Sequence, residues 1–245
     1  MKSYKYFDKF LSHILYNYEG CYSNNPNDPG AETILGIASK YHPKTFNNIM
    51  KIFENHNIPK EKIDDVCKKF LNYLYFGNYL VSDYKIFVDL YFEVSKFYFN
   101  EYYSVFDKYL APPRNSNIQN ESEVMGIILF LFDSAINCGI KNSVKFLQNA
   151  MRESFNVGIT VDGVLGPQTA SIFMDNVYCD EKDENIYEKK LNAFILLSNV
   201  CAERKLYYKE IVNKNSKLEV FYKGWLNRVN RLFKHIVDEY FLRGV

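Results

Sequence analysis

The chain has 245 residues, of which 47% are apolar, so it is long and hydrophobic enough to bury a core, and disordered and fibrous proteins are excluded. Thirty basic and 29 acidic residues leave a formal net charge of +1, which provides no general attraction for nucleic acid or anionic lipid. The longest apolar run, which begins at Gly126, is shorter than the roughly 20 residues that span a bilayer and predicts a buried helix.

The cysteines and histidines form no metal-ligating or disulfide pattern. The five cysteines include no Cys-x-x-Cys pair, and their odd number argues against a complete disulfide framework. The four histidines include no His-Glu-x-x-His motif. We therefore expect reduced thiols and neither a bound metal nor another cofactor. The N-terminal residues lack a continuous apolar segment and a cleavage site, so we expect no secretory signal and synthesis in the cytoplasm.

The first part of the chain is predicted to be helical around one short stretch of β structure. Apolar residues recur at three- and four-residue spacing up to Tyr18, which predicts a helix that Glu19 closes. Turn-forming residues dominate 23–30, and the run Thr33–Ile37 that follows predicts a small hairpin. Further helices are predicted at 44–55, 60–76 and 84–109.

The second part is predicted to be mainly helical, with a glycine-containing loop at 158–166. The stretch 111–117 contains Pro, Asn and Ser residues that break the chain, and it is the predicted boundary between two regions. We expect a catalytic region at 1–111 and a helical region at 121–245, and leave open whether they pack as one unit. The aromatic segment 81–120 is either an added lid or a helical packing element. Helices are predicted at 122–136, 141–154, from Pro167 onward, 183–212 and 217–241.

The segment 19–37 places two carboxylic acids near one loop. Hydrolysis of a glycosidic bond uses one carboxyl group that donates a proton to the leaving oxygen and one carboxylate that activates water or attacks the sugar. Glu19 suits the first role, because the C-terminal end of a helix disfavours a negative charge. Asp28, in a polar turn, suits the second role. An Asp in an Asn-Asp-Pro-Gly turn is also an ordinary turn former, so the pair alone is a weak indication.

The order and spacing of the residues in this segment point to one family. The segment contains Glu19-Gly-Cys-Tyr22, then Asp28-Pro-Gly30, then Thr33 and Gly36-Ile37. It resembles the phage-type N-acetylmuramidase family, glycoside hydrolase family 108, whose motif runs Glu-Gly-Gly-Tyr, Asp-Pro-Gly-Gly, then Thr and Gly-Ile. Eight residues separate Glu19 from Asp28 and four separate Asp28 from Thr33, as in that motif. Cys21 and Ala31 stand where the family usually has Gly, and we expect Cys21 to be a small buried residue, not a nucleophile.

The resemblance implies a mainly α, lysozyme-like fold with helical lobes and one small β-hairpin near the active-site loop. It implies hydrolysis of the β-1,4 bond between N-acetylmuramic acid and N-acetylglucosamine in bacterial peptidoglycan. Glu19 matches the catalytic glutamate, and Asp28 and Thr33 match, by looser analogy, positions that orient and activate water. The partner is then a peptidoglycan glycan strand, and we expect a monomer that binds no nucleic acid and inserts in no membrane. Substrate contacts are expected at Tyr22, Asn24 and Asn137.

Downstream segments resemble the peptidoglycan-binding region that accompanies this hydrolase. They are Phe132–Gly139, Val161–Thr169 and Phe221–Val229. Structural explanations compete with ligand binding in each of them. Asp162-Gly163 and Gly166-Pro167 are also typical of a turn followed by a helix start. Trp225 lies at the apolar spacing of a helix, which is typical of a core residue. Asn137 either caps the preceding helix or faces the cleft, and the C-terminal region either binds peptidoglycan or only packs.

Two other functions are compatible with the same residues. A lytic transglycosylase needs a Glu but uses the substrate's own hydroxyl in place of water, and the presence of Asp28 and Thr33 argues against it. A non-catalytic wall-binding or phage structural protein would not require Glu19. The family resemblance and the expected lack of a signal peptide imply a phage or prophage endolysin, released to the wall through a separate pore.

Overall fold

The computed structural model describes residues 4–24, 30–77, 84–113, 117–180 and 185–243. Contacts within the chain divide it into two compact units, Met1–Glu101 and Tyr102–Val245. The boundary predicted at 111–117 stays a prediction. Across the described ranges, none of the helices combines the length and the hydropathy that a bilayer crossing requires.

The first unit consists of helices around a small sheet. Its helices are α1 (Tyr4–Tyr18), α2 (Pro43–Asn55), α3 (Ile63–Phe76) and α4 (Tyr84–Tyr98), with a 3-10 turn at Lys60–Lys62. Pro43 suits the first turn of α2, and Gly77 ends α3 in the left-handed conformation that glycine favours. The apolar spacing of α1 buries Phe10 and Ile14 completely. These helices follow the predicted ranges closely.

The sheet of the first unit is antiparallel, with strands β1 (Tyr22–Ser23), β2 (Thr33–Ile34) and β3 (Ile37–Ala38) in that order. β2 and β3 form the predicted hairpin. Its two-residue turn, Leu35–Gly36, has φ values of 50° and 79°, as a type I′ turn requires. β1 was not predicted, because a two-residue strand carries too little alternation of apolar and polar residues to be recognised in a sequence.

The aromatic segment predicted as one helix at 84–109 is helical but interrupted. α4 ends at Tyr98, a π-helical turn occupies Phe99–Tyr103, and α5 spans Ser104–Tyr109. π-helical turns are frequent at functional sites. α4 buries Leu90, Val94 and Tyr98 in the first unit, so its described residues form a packing element.

The second unit contains helices joined by loops, without a strand among its described residues, and it is built around α6. Its further helices are α6 (Glu121–Cys138), α7 (Ile140–Phe155), α8 (Pro167–Val177), α9 (Ile186–Lys214) and α10 (Glu219–Ile236), followed by a π-helical turn at Val237–Phe241. α6 is buried on all sides from Glu123 to Ala135, which explains its continuous apolar run. A Cβ added at Gly126 would lie 2.9 Å from Ile236 Cγ2, so glycine permits the close approach of α10.

Candidate functional site

Glu19 lies directly after the last residue of α1, where the helix gives way to β1. Its side chain is partly buried and turns towards the hairpin. A Cβ added at Gly36 would lie 2.9 Å from Glu19 Oε2. The carboxyl group of Glu19 therefore rests against the backbone of the Leu35–Gly36 turn, at the helix end that the sequence predicted.

Tyr98, the last residue of α4, reaches the same turn. The side chain is almost fully buried, and its hydroxyl donates a hydrogen bond of 2.8 Å to the carbonyl oxygen of Leu35. The Cβ added at Gly36 would lie only 2.4 Å from Tyr98 Oη. Glu19 Oε2 and Tyr98 Oη thus flank one small space that glycine leaves open. Tyr98 was not among the predicted site residues.

The sheet pairs the residues on either side of the loop within the motif that begins at Glu19. Ser23 of β1 is paired with Thr33 of β2, so the intervening loop starts and ends on neighbouring strands. Thr33 is partly buried, and Asn24 is exposed at the start of the loop. Asp28, the predicted partner of Glu19, belongs to this loop but lies outside the described residues.

Tyr22, a predicted substrate contact, has its hydroxyl engaged within the protein. It donates a hydrogen bond to Glu32 Oε1, which Lys60 Nζ also contacts at 2.9 Å. Burial alone would raise the pKa of Glu32, but the Tyr22 hydroxyl and the Lys60 ammonium outweigh it and hold that pKa below its usual value. Glu32 is therefore an anion, and its contacts with Tyr22 and Lys60 connect the sheet to the 3-10 turn before α3. Sequence reasoning assigned Glu32 no task.

Asn137, the third predicted substrate contact, belongs to the second unit. It lies in the last turn of α6, where its side chain is exposed. Its Oδ1 accepts a hydrogen bond from the hydroxyl of Tyr208 in α9. Asn137 therefore helps to connect two helices of its own unit, in addition to any contact with a ligand.

Asp133 lies one helical turn before Asn137 and is completely buried between two arginines. Arg204 Nη1 lies 2.6 Å from Asp133 Oδ2, and Arg228 Nη2 lies 2.7 Å from Oδ1. Burial acts to raise the pKa of Asp133, but the two guanidinium groups more than offset it and hold that pKa below its ordinary value. The ion pair with Arg228 joins the segment 132–139 to the segment 221–229.

Trp225 extends this cluster towards the surface. Its ring stacks on Tyr208 with centroids 5.0 Å apart and on Phe221 with centroids 6.0 Å apart. Phe221 is 54% exposed, whereas Trp225 is partly buried. The stack supports the packing role considered for Trp225 and also leaves an aromatic face in contact with solvent.

The segment 161–169 folds around Gln148, a buried residue of α7. Gln148 Nε2 donates to Asp162 Oδ1 at 2.8 Å, and Gln148 Oε1 accepts from the backbone N–H of Gly163 at 2.8 Å. Gly163 has a φ of 78°, and a Cβ there would lie 2.7 Å from the carbonyl oxygen of Lys141. The turn and the helix start at Pro167 thus have a structural explanation.

The sequence profiles of two protein families match this chain. The profile of Glycosyl hydrolase 108 matches residues 12–139, which is more than half of the chain. The chain belongs to the glycosyl hydrolase 108 family. It is therefore a glycoside hydrolase, as the motif around Glu19 predicted. The profile of the Predicted Peptidoglycan domain matches residues 142–230, and the two matches together identify a peptidoglycan hydrolase.

A solved structure supports the fold of this glycosyl hydrolase 108 member. SagA of Brucella abortus is similar over 99% of this chain and 100% of that chain, with a TM-score of 0.54 and 18% sequence identity. At this identity the likeness bears on the fold alone, and it agrees with the predicted mainly α, lysozyme-like class. A comparison with curated proteins finds no match.

The hydrolase profile extends beyond the first compact unit. That unit ends at Glu101, whereas the profile continues to residue 139 and includes α6. Asp133 and Asn137 thus lie within the residues that the glycosyl hydrolase 108 profile matches, although their contacts place them in the second compact unit.

Proposed function

We propose that this glycosyl hydrolase 108 enzyme hydrolyses the β-1,4 bond between N-acetylmuramic acid and N-acetylglucosamine, with Glu19 as the general acid. The observation that carries the proposal is the place of the Glu19 carboxyl group, fixed at a helix end and against Gly36. A general acid must present its proton at a defined position to the leaving oxygen. The helix end and the hairpin turn define that position from two sides.

We assign the activation of water to Asp28 and Thr33. Thr33 begins the strand that receives the loop from β1, and its hydroxyl can both donate to and accept from a water molecule. Asp28 belongs to the same loop and supplies the second carboxylate that the reaction needs. Asn24 offers an exposed amide to the sugar, while Tyr22 offers its ring, since its hydroxyl is bound to Glu32. Asn137, whose side chain is exposed in its own unit, stays a proposed sugar contact on the ground of the family resemblance.

Digestion of purified peptidoglycan by the wild type and by Glu19→Gln tests the general acid. Loss of a general acid typically lowers the rate by about 10² to 10⁴, so we expect release of fragments to fall at least a hundredfold. Glu61→Gln, which changes an exposed glutamate in the 3-10 turn of the same unit, is the matched control and keeps full activity. Binding of Glu19→Gln to sedimented cell walls stays at the wild-type level.

Mass spectrometry of the fragments after borohydride reduction identifies the reaction. Reduced muramic acid ends support the proposal. Anhydro-muramic acid ends would instead assign the chain to lytic transglycosylase chemistry. If neither the wild type nor the variant releases fragments but both bind the wall, the chain is a wall-binding protein and the proposal fails.

We further propose that the enzyme is an endolysin of a phage or prophage that is made in the cytoplasm and acts on the wall after release. The support is the pairing of a glycoside hydrolase family with a peptidoglycan domain.

We also propose that the enzyme is a monomer that binds neither nucleic acid nor membranes. The net charge of the protein is +1, which gives no general affinity for nucleic acid or anionic lipid. A monomer has a mass of 28.9 kDa, which light scattering measures directly, and a doubled mass would contradict the monomer.

A further inference from the structure

Two hydrogen bonds connect α4 to the chain beside Glu19 through a single residue, Leu35. The Leu35 carbonyl accepts from the hydroxyl of Tyr98 at 2.8 Å, and the Leu35 N–H donates to the carbonyl of Cys21 at 2.7 Å. Cys21 follows Glu19 by two residues. The backbone of Leu35 thereby links the Tyr98 side chain to the chain segment that carries Glu19.

Leu35 is held in a conformation that its side chain disfavours. Its φ is 50°, in the left-handed region that L residues other than Asn and Asp seldom adopt. Its side chain is completely buried, which fixes it in the core. Strained backbone of this kind persists where surrounding contacts over-determine it, and such positions cluster at functional sites. The hydrogen bond from Tyr98 is one of those contacts.

Gly36, the next residue, forms the surface on which the Glu19 carboxyl group rests. A single methyl group there would come within 2.9 Å of Glu19 Oε2 and within 2.4 Å of Tyr98 Oη. A shift of the turn would therefore change the support of the carboxyl group directly. The Tyr98 hydroxyl both holds the turn and occupies the space beside Glu19.

We propose that Tyr98 is a positioning residue for Glu19, acting through the Leu35–Gly36 turn. The proposal rests on the proposed role of Glu19 as the general acid. Tyr98 is 1% exposed, so its hydroxyl orients the acid from inside the protein and makes no contact with a sugar. A misplacement of a catalytic group by about 1 Å can lower the rate by about a hundredfold. Because removal of the hydroxyl leaves the ring in place, we expect kcat to fall by about tenfold.

Tyr98→Phe tests the proposal, with Tyr91→Phe as the matched control. Tyr91 lies on the same helix, and its hydroxyl donates to Asp8 of α1 instead of to the hairpin turn. We would measure kcat and KM on soluble, uncrosslinked glycan strands, together with thermal unfolding. We expect Tyr98→Phe to lower kcat about tenfold with KM within about twofold of wild type. Tyr91→Phe is expected to leave both constants unchanged, whatever its unfolding temperature.

A double-mutant cycle tests the geometry without an activity assay. Gly36→Ala introduces a methyl group whose shortest contact is with Tyr98 Oη, an atom that Tyr98→Phe removes. We therefore expect Gly36→Ala to lower the unfolding temperature less in the Tyr98→Phe background than in the wild type. Equal shifts in both backgrounds would contradict the assigned position of the hydroxyl.

The outcomes separate this proposal from the proposed function. If Glu19→Gln is inactive while Tyr98→Phe keeps its kcat, or changes only KM, then Tyr98 does not position the acid although the function stands. If Glu19→Gln stays active, the function itself fails. A Tyr98→Phe variant that does not fold would also overturn the proposal, because the hydroxyl would then serve stability and not the placement of Glu19.

Discussion

Two residues close to Glu19 in sequence hold backbone conformations that their side chains disfavour. Leu35 has a φ of 50° and Ala31 a φ of 61°, both in the left-handed region. Leu35 is held there by burial and by hydrogen bonds at its carbonyl and N–H groups. Ala31 is exposed, and it stands where the family motif usually has a second Gly after Asp-Pro-Gly. Its methyl group therefore adds strain at an exposed position outside the core.

We expect Ala31→Gly to stabilise the protein. Glycine adopts a positive φ without the steric cost of about 1 kcal/mol that an L residue incurs, and this gain exceeds the added entropy of the unfolded chain. The free energy of unfolding in urea should rise by about 0.5–1 kcal/mol. Ala38→Gly in β3, where the backbone is extended, is the control and should lower it. A fall in stability for Ala31→Gly would show that the conformation assigned to residue 31 is wrong.

The residues of the site differ in how well the sequence marks them. Helical periodicity places Glu19 at a helix end, and the run Thr33–Ile37 predicts the hairpin that contains Gly36. Tyr98 could not be found in this way, because it is one of 21 tyrosines and lies in a helix whose aromatic spacing is explained by the core alone. Only the packing of α4 against the hairpin distinguishes it from its neighbours.

At the scale of elements, the small sheet is attached to the 3-10 turn before α3 through charged and polar side chains. Tyr22 of β1 and Lys60 of the turn both contact Glu32, which immediately precedes β2. Lys60 is more than half exposed, so its ion pair contributes little. The hydrogen bond from Tyr22 to the carboxylate is the stronger contact, since a bond to a charged group contributes about 1.5–3 kcal/mol.

Tyr22→Phe should destabilise the first unit by about 1.5 kcal/mol at pH 7. The pKa of Glu32 is depressed in the folded protein, so its contribution is full above the unfolded pKa of about 4.3 and is lost as the pH falls through the folded value. The difference in unfolding free energy between wild type and Tyr22→Phe should therefore shrink below about pH 4. Tyr41→Phe, at an exposed tyrosine, is the control, and a difference independent of pH would contradict the assigned bond.

Most helices are predictable because they are long and carry regular apolar faces, and their predicted ends fall within a few residues of the observed ones. Two elements differ from the prediction, each for its own reason. The π-helical turn at Phe99–Tyr103 changes the hydrogen-bonding pattern while the apolar residues continue, so the sequence predicts one uninterrupted helix. β1 forms only by pairing with β2, which lies ten residues further along the chain.

At the scale of the whole molecule, two of the segments that resemble the family, 132–139 and 221–229, meet at one buried carboxylate. Asp133 comes from α6, Arg204 from α9 and Arg228 from α10, so a single group holds three helices of the second unit together. The sequence shows the segments 132–139 and 221–229 as separate motifs. Their connection through Asp133 and Arg228 depends on the packing of α10 against α6. Residue spacing within either helix does not predict that packing.

Asp133→Asn should therefore be among the most destabilising single changes in the second unit. Asparagine keeps the size of the side chain but removes the charge that compensates Arg204, which is completely buried. Loss of one partner of a buried ion pair typically costs about 3–5 kcal/mol, and we expect urea unfolding to show a loss of that size at pH 7. Asp175→Asn, at an exposed position of α8, should change stability by less than about 0.5 kcal/mol.

The pH dependence distinguishes this electrostatic explanation from a simple packing defect. The pKa of Asp133 is depressed in the folded state, so its stabilising contribution is complete above the unfolded pKa of about 3.9 and declines as the pH falls towards the folded value. The wild type should consequently lose its advantage over Asp133→Asn in acid, while the advantage stays constant between about pH 5 and pH 8. If the advantage persisted undiminished down to the acid unfolding of the wild type, the cost of Asp133→Asn would lie in packing, and the carboxylate would not be the group that holds the three helices.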